Sequence, residues 1–235
     1  MPPLRIYFAD LAYQSIGLSS EFFPLSVGYI AAYCKKIHGE NVEVRLFKYL
    51  KELDDALYDS PPDILALSNY PWNIDLGIKM FRSLSMIKPE ALNVFGGPNF
   101  PHDAEDQVKF LKQYQEIDCY AYLEGEIGFA NLVSFVRELG DLKLARDALK
   151  EKGVAGCIQL GFEGEILEAP PAIRISTLDD YPSPYLTGIL DPFFDGLLTP
   201  MLTTNRGCPF RCTFCADGAE AVNKVTRFSS ERVQS

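Results

Sequence analysis

No run of apolar residues in this sequence approaches the ~20 consecutive positions that a membrane-crossing helix needs, so a soluble globular protein with no membrane partner is expected. Basic residues are the minority charge: 22 Lys and Arg stand against 32 Asp and Glu, a formal net charge of -10. A surface of that sign is not a general nucleic-acid platform, and no nucleic acid is expected among the partners. Histidine occurs only at His38 and His102, tryptophan only at Trp72. The first residues, Met1-Pro2-Pro3-Leu4-Arg5, lack the basic and apolar pattern of a signal peptide. That points to the cytoplasm, where thiols stay reduced and cysteines are free to bind metal.

Cysteine is where the sequence concentrates its chemistry. Of six cysteines, Cys208, Cys212 and Cys215 fall in one C-x3-C-x2-C stretch, preceded by residues 201–205, which read as a short strand. Three thiolates at one loop can face a single soft centre, zinc or an iron–sulfur cluster. A structural zinc site takes a fourth Cys or His, and no further Cys or His follows Cys215. A four-iron cluster held by three cysteines keeps one iron open to an outside ligand. The remaining cysteines, Cys34, Cys119 and Cys157, lie in helix and strand patterns and are expected to be packing residues.

With Phe214 just before the third cysteine, this stretch resembles the signature of radical S-adenosylmethionine (radical SAM) enzymes. The resemblance implies a 4Fe-4S cluster on Cys208, Cys212 and Cys215 whose free iron chelates the amino and carboxylate groups of S-adenosyl-L-methionine. An electron from the cluster then cleaves that cofactor, and the 5′-deoxyadenosyl radical removes hydrogen from a small-molecule substrate. It also implies an electron donor such as flavodoxin or ferredoxin, with Phe214 against the adenine side of the cofactor. The protein then supplies ligands, orientation and exclusion of water. A zinc-stabilised interaction domain is the competing reading of the same cysteines.

Upstream, short apolar runs at 4–9, 42–47, 64–68, 92–95 and 119–123 alternate with helical patterns at 25–37, 50–58, 74–87, 104–114 and 127–139. Such alternation predicts an α/β fold, a doubly wound, parallel, five-stranded Rossmann-like sheet. Ligands of these sheets sit beyond the carboxyl ends of the strands, at the topological switch point. The loops to inspect are therefore 10–15, 68–73, 96–99 and 124–126. They contain Asp10; Ser68, Asn69, Tyr70, Trp72 and Asn73; Gly96, Gly97 and Pro98; and Glu124, Gly125 and Glu126. Taken singly, each also reads as plain structure: an aromatic helix staple, a glycine turn, a helix start. His38, at a helix end, is expected to be exposed beside the dipole. His102 is expected to meet solvent or to stand behind other contacts.

In this order, ahead of the cysteine loop, the loops Ser68 to Asn73, Gly96 to Pro98 and Glu124 to Glu126 resemble those of the cobalamin-binding domain found in one class of radical SAM enzymes. The resemblance covers essentially the whole chain. It implies that the nucleotide tail of cobalamin lies beside the sheet and the corrin caps the strand ends, with the thirteen upstream and loop residues just named, Phe214 included, as cofactor contacts. One departure stands out: where classical cobalamin domains carry D-x-H-x-x-G, this sequence has Asp10, Ala12 and Ser15 at the corresponding positions. Cobalamin held without an imidazole ligand and a domain that has lost cobalamin both fit that change. The reaction implied is methylation of an unactivated carbon; the competing reading is a non-catalytic cobalamin- or nucleotide-binding module.

Residues 142–152 read as a charged helix, 157–162 and 165–168 as a hairpin, and the proline-rich segment 169–200 as a linker whose aromatic residues pack across its neighbours. The expected division is 1–140 for the cobalamin-binding-like domain, 141–200 for hairpin and linker, and 201–235 for the start of a truncated radical SAM (β/α) barrel. Within the last, 201–205 reads as the first barrel strand, 224–228 as an extended piece, and Ser229 or Ser230 as a helix cap. The family's remaining barrel strands supply most of the cofactor cleft and substrate pocket, so this chain is not expected to turn over alone.

Overall fold

A computed structural model describes residues 2–13, 21–167, 169–172, 175, 177–210, 212, 215 and 224–234. Six strands form the main sheet: β1 (Leu4–Ala12), β2 (Val42–Tyr49), β3 (Ile64–Ser68), β4 (Leu92–Gly96), β5 (Cys119–Ala121) and β6 (Cys157–Ile158). Their order is β2-β1-β3-β4-β5-β6. The first five are parallel, and β6 joins the edge antiparallel to β5. Ile6 pairs with Val44 on one side and Ile64 on the other, so β1 sits in the middle of continuous apolar ladders.

Both faces of the sheet are covered, which is why the inner strands β3 and β4 are apolar at most positions, while the edge strand β2 carries Glu43, Arg45 and Lys48. Ile6 and Phe8 of β1, with Ile64 and Ala66 of β3, face a cluster built from α1 (Leu25–His38), α5 (Gly125–Leu139) and α6 (Leu142–Ala148). Tyr7 and Ala9, with Leu65 and Leu67, face the opposite cluster, built from α2 (Leu50–Asp59), α3 (Ile74–Ile87) and α4 (Ala104–Gln113). The period-two split of each strand between two helical layers makes the doubly wound architecture. Local chemistry sets the helix ends: the Asp103 carboxylate accepts from the Glu105 N–H at 2.9 Å, and Asp141 accepts from the Leu144 N–H at 2.8 Å. Among the described residues no helix is long and apolar enough to cross a membrane.

Several expectations need correcting. β1 runs on through Ala12, which places Asp10 within a strand and not in a loop. The hairpin forms, with a Leu160–Ile166 bridge, but its first strand also extends the sheet as β6. His38 is buried, not exposed, and its Nε2 faces the Ala130 carbonyl at 3.0 Å. Residues 201–204 are not a strand. Instead β7 (Asn205–Arg206) pairs antiparallel with β8 (Thr226–Arg227), and Ser229 Oγ accepts from Arg232 N–H at 3.1 Å at the start of α7 (Ser230–Gln234).

The described residues of the linker are packed against the rest of the fold. Leu178, Tyr181, Leu190, Phe193 and Leu198 join Phe23, Leu25 and Tyr29 in a third apolar cluster outside the sheet. Tyr49 at the end of β2 donates its hydroxyl to Asp195 at 2.5 Å, tying the linker to the sheet's carboxyl edge.

Candidate functional site

A cleft of about 410 Å³ opens where the parallel strands end. Its floor is apolar, from Phe8, Ala66, Val94 and Ala121, and its rim carries Ser68, Tyr70, the Gly96-Gly97-Pro98 turn, Glu124, Gly125 and Glu126. Three of the loops singled out in the sequence therefore converge on one opening. Arg206 and Gly207, immediately before Cys208, complete its wall. The strand order 2-1-3 puts the crossover reversal between β1 and β3, where such sheets bind their ligands.

The rim is built for close approach. Gly97 has φ 124°, and a Cβ there would lie 2.8 Å from the Asn69 carbonyl oxygen. That turn is further fixed by Tyr120, whose buried hydroxyl donates to the Gly97 carbonyl at 2.8 Å while accepting from Asn69 Nδ2 at 3.2 Å. At the start of α5, a Cβ on Gly125 would meet Ile30 at 3.0 Å. Bare backbone lets the Gly97 turn lie against Asn69 and the start of α5 lie against Ile30 of α1, which fixes both rim segments in place.

Asp10, Asn69, Trp72 and Asn73 do not line the cleft but stand around it. Asp10 accepts from Lys48 Nζ at 2.8 Å and from Ser68 Oγ at 2.5 Å, and Asn73 Nδ2 donates to Ser68 Oγ at 3.0 Å. Asn69 donates to the Asn99 carbonyl at 2.8 Å. Trp72, half exposed, stacks on Tyr70 with ring centroids 4.5 Å apart and planes 8° from parallel. His102, on the rim, shares a 2.8 Å hydrogen bond between its Nδ1 and the Tyr122 hydroxyl.

Sequence reasoning passed over Lys48, Tyr29 and Arg206, and read Tyr181 only as one of the linker's packing aromatics. Arg206 pairs through Nη2 with Glu126 Oε1, and its guanidinium lies 4.6 Å from the Tyr181 ring and 5.4 Å from the Tyr29 ring. Burial disfavours the Arg206 cation, but the Glu126 carboxylate outweighs it and the pKa ends above its ordinary value. Tyr181 donates its hydroxyl to Glu124 at 3.1 Å. Its pKa is raised, first by burial and then by the Glu126 and Glu124 carboxylates, so the phenol stays protonated.

Cys34, Cys119 and Cys157 are buried, as expected of packing residues. Burial pushes the Cys34 thiol up to about 12, and contact with Cys157 together with burial raises Cys119 well above the usual thiol range. Cys208 is half-buried, while Cys212 and Cys215 are exposed, with the Cys215 N–H donating to the Cys212 carbonyl at 3.2 Å. Among the described residues no three Cys, His, Asp or Glu side chains converge on one centre. Phe214 and Ser15 lie outside the described residues.

No family model matches the chain. Over 98% of its length it is 31% identical to the cobalamin-dependent radical SAM methyltransferase TokK of Streptomyces tokunonensis. Over the same share it is 30% identical to the 2-(S-pantetheinyl)-carbapenam-3-carboxylate methyltransferase of Streptantibioticus cattleyicolor. The chain spans 33% of the length of each of these curated relatives. Among solved structures it shares its fold with the cobalamin-dependent S-adenosylmethionine radical enzyme OxsB, solved with aqua-cobalamin and S-adenosylmethionine bound. The TM-score is 0.67 at 20% identity, over 97% of this chain and 30% of that one. By descent and by fold, the chain belongs to the radical S-adenosylmethionine enzymes that carry a cobalamin-binding domain, and it covers about a third of their length.

Proposed function

We propose that this chain holds cobalamin at the carboxyl edge of its sheet and presents it to a 4Fe-4S cluster ligated by Cys208, Cys212 and Cys215. The whole protein is then a radical SAM methyltransferase acting on an unactivated carbon of a small molecule. One observation carries the reading: the residues that lead into the cysteine motif, Arg206 and Gly207, form a wall of the same cleft as the Gly96-Gly97-Pro98 and Glu124-Gly125-Glu126 loops.

The donor chemistry of Cys208, Cys212 and Cys215 supports the cluster, and the lining of the cleft supports cobalamin. Three thiolates without a fourth Cys or His nearby suit a four-iron cluster with one open position better than a closed zinc site. The cleft's apolar floor and glycine rim suit a flat heterocycle such as the nucleotide tail of cobalamin. Asp10 is engaged by Lys48 and Ser68 and Ala12 carries no imidazole, so cobalamin bound here would be held by the cleft lining and not by a histidine at these positions. When bound, the cluster supplies an electron to S-adenosylmethionine and cobalamin carries the methyl group. The chain's own work is to orient both and exclude water: Tyr120 and Asn69 hold the glycine turn, and Phe8, Val94 and Ala121 give the tail a dry floor.

Two titrations on the full-length protein test this. Trp72, the one tryptophan of these 235 residues, stands beside the cleft on Tyr70, so hydroxocobalamin entering the cleft saturably quenches the share of the fluorescence that a Trp72→Phe variant lacks. Anaerobic reconstitution with iron and sulfide then yields a reduced-cluster electron paramagnetic resonance signal that changes with S-adenosylmethionine and disappears in Cys212→Ala. Quenching without iron uptake leaves a binding module. Zinc without sulfide leaves a zinc-stabilised interaction domain and overturns the reading.

A further inference from the structure

Arg206 immediately precedes the Gly207-Cys208 step, yet the motif reading assigns its side chain no task. That side chain has three partners. Its guanidinium pairs with Glu126, in the first turn of α5, and lies over the rings of Tyr29, from α1, and Tyr181, from the linker. The pair is withdrawn from water, with side-chain exposures of 19% for Arg206 and 5% for Glu126. Each aromatic partner is itself held. Tyr181 donates to Glu124 at 3.1 Å and its carbonyl accepts from Arg232 Nη2 at 2.9 Å, while Tyr29 stacks on Phe228 at 6.0 Å.

A planar guanidinium can pair with a carboxylate and stack on aromatic rings at once, which an ammonium cannot. Desolvating such a pair is unfavourable unless both partners stay in place, and removing either one strands the other. Neither residue belongs to the two apolar clusters that hold the sheet together. The pair joins positions 80 apart in sequence, and on one side of the joint lies the rim of the cleft, on the other, two residues on, Cys208.

We propose that Arg206 is a positioning residue: its ion pair with Glu126, seated on Tyr181 and Tyr29, docks the root of the cysteine loop on the cleft rim. A ligand in the cleft and a ligand on Cys208 are thereby held at a set separation. The identity of those two ligands rests on the function proposed above; the docking itself does not. Because Glu126 belongs to the rim, a ligand that orders the rim also orders the loop, and the coupling runs equally in both directions.

Alkylation of Cys208 by iodoacetamide, followed by peptide mass spectrometry on the cluster-free full-length protein, reads the docking without any cofactor. Buried Cys119 serves as the internal control for general unfolding. Arg206→Met and Glu126→Gln are each expected to raise the Cys208 rate about tenfold, the factor equivalent to roughly 1.4 kcal/mol of lost docking. Cys119 stays protected in both. Arg206→Lys falls between, since it keeps the charge and loses the fork, and Arg206→Met/Glu126→Leu is no faster than Arg206→Met alone. Saturating hydroxocobalamin slows the reaction in the unsubstituted protein and has less effect in Arg206→Met. An unchanged Cys208 rate in both single variants overturns the proposal. So does a Cys208 increase that comes only together with Cys119, which would make the pair a general stabiliser of the fold. Failure of hydroxocobalamin to bind the unsubstituted protein counts against the proposed function, while the ligand-free comparison still decides the docking.

Discussion

Lys48 shows how a single side chain changes the meaning of a motif. Its ammonium is fully buried and meets Asp10 at 2.8 Å, and Asp10 retains 19% exposure and a second bond from Ser68. Asp10 stands where cobalamin domains of the D-x-H-x-x-G type carry their aspartate, and with Ala12 two residues on it has no imidazole to orient. Here its charge is balanced by a lysine from the neighbouring strand. Removing one partner of a buried pair strands the other, so Lys48→Met is expected to lose about 3 kcal/mol, the low end of the range because Asp10 is partly wet. Urea melts check this: Asp10→Asn/Lys48→Met recovers part of the loss, and unchanged stability in Lys48→Met would remove the pair from the account. Asp10 drew attention in the sequence because it stands at the first position of a short motif, although it does not line the cleft. Lys48 and Arg206 did not, because their partners lie 38 and 80 positions away and only the folded sheet edge brings them together.

Among the secondary-structure elements, legibility followed how far each depends on partners. β3 and α3 fall at the expected boundaries, 64–68 and 74–87, because an unbroken apolar run and a 3.6-residue stripe need only be buried to declare themselves. β6 and the β7–β8 ribbon fall in or beside stretches that read as extended, but their partners, β5 for β6 and each other for β7 and β8, are set by long-range pairing that composition does not announce. His38 was misread for a related reason: its position at the end of α1 suggested solvent, whereas α5 packs over it and the Ala130 carbonyl faces its Nε2. Burial lowers the His38 pKa below 6.5, helped by Arg137 and opposed by the Ala130 bond. The unfolded chain then takes up a proton that the folded one resists, so protonation favours unfolding. Stability is constant above about pH 6.5, the unfolded-state value, and declines as pH falls from there through the lowered folded value. Thermal melts between pH 7.5 and pH 5 should show a smaller acid decline in His38→Gln, whose amide can still donate to Ala130. An identical decline in both proteins would place the sensitivity elsewhere.

On the scale of the whole molecule, the linker decides whether the cysteine loop has a fixed place at all. Its six prolines read as a connector, but its aromatic and aliphatic residues form an apolar cluster with α1 and the segment before it. Leu190 is fully buried there and packs against α1 at Gly28, where an added Cβ would meet its side chain at 3.2 Å. Backbone bonds knit the far end as well: Phe23 N–H donates to the Thr199 carbonyl at 3.1 Å, and Thr199 N–H to the Glu21 carbonyl at 2.6 Å. Tyr181, which carries Arg206 on its ring, belongs to the same cluster. Loosening the linker should therefore loosen the loop. Leu190→Ala removes a buried aliphatic side chain at a cost of about 2–5 kcal/mol. It is expected to open the segment 169–200 to limited proteolysis while the sheet stays resistant, and to raise Cys208 alkylation as Arg206→Met does. A linker cut equally fast before and after the substitution would be a tether, and Tyr181 would then have no rigid support from which to hold Arg206.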